Sequence, residues 1–155
     1  PENPFPILID YIFKHSLSMV APFVYNTNGV VEDSFRRFPS PMLLFLRQIG
    51  ITVGDYTLRK NTDIFYPDWI AGMFMLFKSI EFNEICGFDE KFFLYCEDID
   101  ICVRLLKENK KYSIVNASKV IHIARHGSHN NIKYLLWHIK SFFLLWFKHL
   151  GRYPK

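Results

Sequence analysis

Cysteine is scarce in this sequence. Cys86, Cys96 and Cys102 are the only three in 155 residues, an odd number with no Cys-x-x-Cys pair. That excludes a disulfide framework and a zinc ribbon, and it suits reduced thiols in a cytosolic setting. Long apolar runs are missing as well. The longest in the C-terminal part is Phe142–Phe147, too short to span a bilayer, and no stretch reads as a signal peptide. Acid is nearly absent from the last third: residues 104–155 carry 11 basic side chains and one acid, Glu108, against 8 basic and 14 acidic in residues 1–103. A net charge of +4 conceals this asymmetry. Such a tail seeks phosphate, on a nucleotide, a nucleic acid or an anionic membrane. No nucleic-acid motif occurs and the basic residues are interleaved with an apolar helix face, which argues against nucleic acid as the partner. The chain also starts at Pro1 rather than at methionine, so a fragment or excised domain is expected.

What is abundant is apolar and aromatic. Half the residues are hydrophobic and sixteen are Phe, enough for one domain with a sizeable core. Ile7 to Ser18 reads as a short amphipathic helix, and Met19–Tyr25 as a strand closed by the turn Asn26-Thr27-Asn28-Gly29, with Pro22 demanding an edge or a bulge. Helix followed by strand predicts an α/β fold. A helix is expected over Met42–Ile49. Asp68–Phe77 is a strand-like run interrupted by Ala71-Gly72, where glycine signals either a bulge or close approach of a ligand. Phe82–Ile85 predicts a helical turn stopped at Gly87 in the left-handed conformation. Tyr112–Val115 and Val120–Ile123 predict two short strands.

The stretch with most chemistry is Phe88–Arg104. It sets Glu97, Asp98 and Asp100 at the start of a segment in which Ile101, Cys102, Leu105 and Leu106 share one helical face. Ionised carboxylates suit a helix N-terminus, and Arg104 and Lys107 suit its far end, so capping is one reading. One carboxylate suffices for a cap, however, and three within four residues repel one another unless a cation or a proton-bearing substrate balances them. The preceding Phe92-Phe93-Leu94-Tyr95 would deliver the acids to a cleft wall.

Arg36 and Arg37, set between aromatics, are solvated charges or a clamp for an anionic substrate. His122, His126 and His129 raise the question of a metal, although their spacing matches no zinc motif. In the tail, Leu135, Leu136, Ile139, Phe142, Phe143, Trp146, Phe147 and Leu150 form an apolar stripe at helical intervals, with Lys133, Lys140, Ser141 and Lys148 opposite and Trp137 and Leu144 interrupting that polar side. The helix either caps the core or lies on an anionic membrane surface.

Taken in order, Asp68-Trp69-Ile-Ala-Gly72, Gly87-Phe88-Asp89-Glu90, Tyr95-Cys-Glu97-Asp98-Ile-Asp100 through Arg104, and His122 resemble the second half of family 2 glycosyltransferases, above all the bacterial rhamnosyltransferase-like group that builds surface polysaccharides. The Arg36-Arg37-Phe38-Pro39 run and the tail from Lys140 to Gly151 fit the same group. The resemblance implies a partial glycosyltransferase A-type α/β fold, a mixed sheet flanked by helices, with residues 1–130 as its acceptor-side, catalytic half and 131–155 as a basic amphipathic helix. It implies inverting transfer of a sugar, rhamnose among the options, from a nucleoside-diphosphate sugar to a cell-surface glycan or lipid-linked acceptor. It maps the general base onto Asp98, beside Glu97 and Asp100, and a sugar and acceptor pocket onto Trp69 and Gly72, with Arg36 and Arg37 as further substrate-binding residues. In some members a histidine after the last core strand is a metal ligand, which corresponds to His122; a histidine satisfied within a strand is the other reading. Glu2 would be a remnant of the family's acidic metal motif, although Asn3-Pro4-Phe5 matches the adjoining positions equally well without a carboxylate. Mg²⁺ or Mn²⁺ would there neutralise the departing diphosphate. The half that holds the nucleobase and ribose is missing, so this chain alone is not expected to bind a sugar nucleotide tightly or to be active. The setting implied is cytoplasmic, at the inner face of the plasma membrane. A non-catalytic glycan-binding or membrane-docking module is the alternative.

Overall fold

The computed structural model describes residues 3–39, 62–123 and 132–154. The helix expected over Met42–Ile49, and Glu2, His126 and His129, lie outside them.

Helix α1 (Phe5–Lys14) begins behind Pro4, with a second proline in its first turn where a missing N–H costs nothing. Strands follow at Met19–Tyr25 (β1), Phe35–Arg36 (β2), Ile64–Phe65 (β3), Trp69–Ile70 (β4) and Leu76–Phe77 (β5). Then come helices α2 (Ser79–Glu84) and α3 (Glu97–Lys107), strand β6 (Tyr112–Ile121) and helix α4 (Ile132–His149). Four strands make a mixed sheet in the order β3-β6-β1-β5, with β1 and β6 parallel and the two outer pairings antiparallel. Strands β2 and β4 pair separately. This is the α/β arrangement of a mixed sheet flanked by helices that the sequence predicts.

Side chains alternate across β1 and β6, and the alternation divides the core. Val20 and Val115 face Leu8, Ile12 and Leu17 on the α1 side. Met19, Ala21, Phe23, Tyr112 and Ile114 face the other way, onto Ile101, Cys102 and Leu105 of α3. The parallel β1–β6 pair is thus covered on both faces, as buried parallel strands require.

Three expectations change in detail. Pro22 sits in a central strand, and its missing donor is absorbed by a register shift between Pro22 and Phe23 where β1 meets β6; the bulge holds and the edge does not. The two short strands expected over residues 112–123 are one, Tyr112–Ile121, in which Asn116-Ala117-Ser118 stays extended and forms the bulge between Val115, opposite Pro22, and Lys119, opposite Phe23. The run 68–77 breaks into β4 and β5 around Gly72.

Gly87 behaves as expected. It has φ +61° and its N–H closes onto Phe82 O at 2.9 Å, while its carbonyl accepts from Arg104 of α3 at 2.6 Å. A Cβ there would lie 3.0 Å from the Phe82 ring in a backbone conformation that side chains disfavour. Gly87→Ala is therefore expected to lower stability by about 1–2 kcal/mol, read as a shift in the denaturant midpoint; an unchanged midpoint would show that the turn relaxes freely.

Candidate active site

Helix α3 begins after two residues held in the left-handed region, Tyr95 (φ 70°) and Cys96 (φ 66°). Neither is glycine, so the conformation is held at a cost by its surroundings. Cys96 is buried, and its carbonyl accepts the Asp100 N–H at 2.9 Å, the first bond of the helix. The entry fixes where the next acids point.

Asp98 is partly exposed. Its Oδ2 accepts the Gly72 N–H at 3.1 Å and its Oδ1 the Ile99 N–H at 2.8 Å. Gly72 thereby reaches the carboxylate through its backbone. A Cβ at Gly72 would sit 3.8 Å from the Asp98 Cβ, an ordinary contact, so the turn tolerates this glycine without demanding it. Gly72 also lines an open hollow of about 330 Å³ with apolar walls from Met75, Phe77, Phe82 and Phe88.

Trp69 and Arg36 complete the group from the β2–β4 pair, in which they are register partners. Trp69 is buried and its indole N–H donates to Arg37 O at 2.9 Å. The Arg36 guanidinium lies 5.7 Å from the Trp69 ring centroid and 2.5 Å from an Asp33 oxygen, and its Nε is buried with no partner among the described residues. Asp68 anchors this pair: its carboxylate accepts the Phe38 N–H at 3.0 Å and its carbonyl accepts the Tyr112 hydroxyl.

Burial raises the Asp98 pKa above the usual carboxylate range, and the Gly72 and Ile99 N–H groups and the Arg36 charge pull it back. Burial raises Glu97 too, with the Asp98 charge adding to it, and Glu97 Oε2 is buried with no partner among the described residues. Burial thus biases both adjacent acids toward holding protons, and Asp98 is the better served by donors.

Asp100 departs from the expected role. It is fully buried, and both of its oxygens are committed: Oδ2 to Arg104 Nε at 2.7 Å, Oδ1 to His149 Nε2 and Lys148 Nζ, each at 2.8 Å. It clamps α3 to α4 instead of joining the other two acids. His122 also stands apart. Its N–H continues the β1–β6 ladder to Tyr25 O at 2.8 Å, and its Nδ1 is buried without a partner among the described residues. An orphaned imidazole nitrogen could take a metal, yet among the described residues no three His, Cys, Asp or Glu side chains gather where they could hold one. The described residues do not make a metal site by themselves.

His138 was not singled out from the sequence. It lies on α4, with its ring 4.9 Å from that of Tyr95, and it feels both Arg36 and Asp98. Burial and the Arg36 charge lower its pKa, with Asp98 opposing, so it is neutral near pH 7. It borders the apolar stripe, next to Leu135 and Phe142 on the helix surface, as a polar residue at the edge of that pattern, which is why a pattern search passes over it.

Trp69, Gly72, Arg36 and Asp98 thus converge from β4, the following turn, β2 and the start of α3, and this is the constellation whose order along the chain resembles glycosyltransferases. No family model matches the chain. Over 135 residues it is 43% identical to the rhamnosyltransferase WbbL of Escherichia coli strain K12, covering 84% of this chain and 50% of that protein. The chain is similar to rhamnosyltransferase-like glycosyltransferases. A second relative, the N-acetylglucosaminyl-diphospho-decaprenol L-rhamnosyltransferase of Mycobacterium tuberculosis, is 31% identical over 137 residues, 81% of this chain and 44% of its own length. The chain spans about half the length of the curated relatives it matches. The matched length on this side takes in most of the elements that build the Asp98 group.

Proposed function

We propose that this chain forms the acceptor-side, catalytic part of an inverting glycosyltransferase that moves rhamnose from a nucleoside-diphosphate sugar to a glycan or lipid-linked acceptor. The observation that carries the reading is Asp98, a reachable carboxylate aimed by two backbone N–H groups and pushed by burial toward greater basicity. The mycobacterial relative, named for a diphospho-decaprenol acceptor, supports the lipid-linked option.

In this mechanism an acceptor hydroxyl donates its proton to Asp98 as its oxygen attacks the anomeric carbon from the face opposite the diphosphate. The new C–O bond forms while the bond to the diphosphate breaks, and the diphosphate leaves with the electron pair. Attack from behind inverts the anomeric centre. A base whose pKa lies above that of an ordinary aspartate takes the proton with a better driving force. Arg36 supplies positive charge beside Asp98 that favours its ionised form, and it can attract an anionic donor. A divalent metal belongs to the reading through the resemblance, and its chemistry would be to neutralise the departing diphosphate.

The test is rhamnosyl transfer by the full-length protein to a polyprenyl-diphosphate-linked sugar, followed against pH. Activity should fall as pH drops through the Asp98 pKa, because only the carboxylate accepts the proton. Arg36→Met removes the charge that pulls that pKa down, so the acid limb should move to higher pH. An acid limb that stays put in the variant would detach Arg36 from the base; no transfer from any nucleoside-diphosphate sugar offered would end the reading.

A further inference from the structure

The tail helix turns an unexpected side inward. Ser141, Leu145 and His149 are its buried residues, with Ser141 Oγ donating to Leu94 O at 2.7 Å, and His138 falls on the same side. Most of the apolar stripe that a core-capping helix would bury faces out instead, with Phe142 at its edge packed on the core. Leu135, Leu136, Ile139, Phe143, Phe147 and Leu150 are each between 43% and 69% exposed. An 18-residue helix is about 27 Å long, and this face runs its whole length. Phe93, 75% exposed and 5.1 Å from the Trp137 ring, extends the face across to the segment that leads into α3.

Charge selects the occupant. Helix α4 contains no acid, and Lys133 and Lys140 lie along it within a tail whose only acid is Glu108. Tyr134 and Trp137, packed edge to face at 5.4 Å, border the stripe with rings of the kind that settle at a membrane–water boundary. No described helix is long and apolar enough to cross a membrane.

We infer that the outer face of α4, with Phe93, docks on an anionic phospholipid surface and lies in its plane, so that the inner face presents His138 and the Asp98 pocket at headgroup depth. An apolar helix face of this kind sinks about 5–10 Å into the interface. The reaction centre on the other side of one helix diameter then stands where the diphosphate of a lipid-linked acceptor lies. That placement rests on the acceptor reading above; the docking itself does not.

The experiment is flotation of the full-length protein with phosphatidylcholine vesicles, with or without phosphatidylglycerol. The wild type should float with the anionic vesicles, and Phe143→Ser/Phe147→Ser should bind them about tenfold more weakly or worse. Both side chains are exposed, so that variant should keep its melting temperature. Lys140→Gln should weaken binding to anionic vesicles only, as added salt does. Equal binding by the double variant, or no flotation of the wild type, would overturn the inference. So would self-association of the wild type, seen by light scattering and lost in the double variant, which would assign the face to a second copy. The vesicles carry neither sugar nor nucleotide, so a failed flotation leaves the transfer reading standing. Transfer to a water-soluble acceptor by a double variant that no longer floats would support docking as a separate property.

Discussion

Asp98→Asn is expected to lower the turnover of the full-length protein by about a thousandfold, within the hundred- to ten-thousandfold range of general base catalysis, while donor affinity stays nearly unchanged. The isosteric amide keeps the shape of the group. It can accept only through its one oxygen, so either the Gly72 or the Ile99 N–H loses its partner. That loss costs about 1 kcal/mol, and removal of a carboxylate strained by burial works in the opposite direction, so the fold should survive. What disappears is the proton acceptor. A fall in turnover without a change in donor binding is the signature of an interaction made in the transition state only. Glu97→Gln is the necessary companion, because Glu97 is adjacent and is also raised by burial. If Glu97→Gln were the dead variant and Asp98→Asn kept its rate, the base would be Glu97, and the two backbone donors on Asp98 would be merely structural.

The part of the site legible in the sequence is the part built from neighbours along the chain. Acids at a helix start and a glycine at a left-handed stop are local signals, and local geometry honoured both, whereas the strand-like run 68–77 breaks at Gly72, whose N–H turns to Asp98. What escaped depends on which way an element faces. Helix α4 has apolar residues on most of its circumference, so periodicity could not say which side meets the core; the answer was decided by the buried Asp100, which needs Lys148 and His149 turned toward it. The same rotation brought His138 to Tyr95 and left Phe143 and Phe147 in solvent. Asp100 was read with Glu97 and Asp98 because it is two residues away. Two positions along a helix amount to about 200° of rotation, which is why Asp100 meets the core while Asp98 meets Gly72.

Asp100→Asn is expected to cost about 3–5 kcal/mol of stability, the usual price of removing one partner from a buried ion cluster. Arg104 is held by three acceptors, Asp100 and the carbonyls of Ile85 and Gly87, and Lys148 bridges Asp100 to Asp89 at 2.6 Å. Lysine can only donate, so the 2.9 Å contact from Lys107 to His149 Nδ1 makes that nitrogen an acceptor and leaves the ring proton on Nε2, facing Asp100. Asn at position 100 would take the Asp100 charge away from Arg104 and Lys148 and turn an N–H toward other donors. The pH dependence has a definite sign. Burial alone would raise the Asp100 pKa, but the bonds from His149, Lys148 and Arg104 prevail and hold it at about 2, below the ordinary 3.8. A depressed carboxylate contributes stability that is complete above its unfolded value and is lost as pH falls toward its folded one. Wild-type stability should therefore drop between about pH 4 and pH 2 by about 2 kcal/mol on account of this group, and the decline should be shallower in Asp100→Asn. Parallel acid denaturation curves for the two proteins would mean that the clamp between α3 and α4 does not depend on the Asp100 charge.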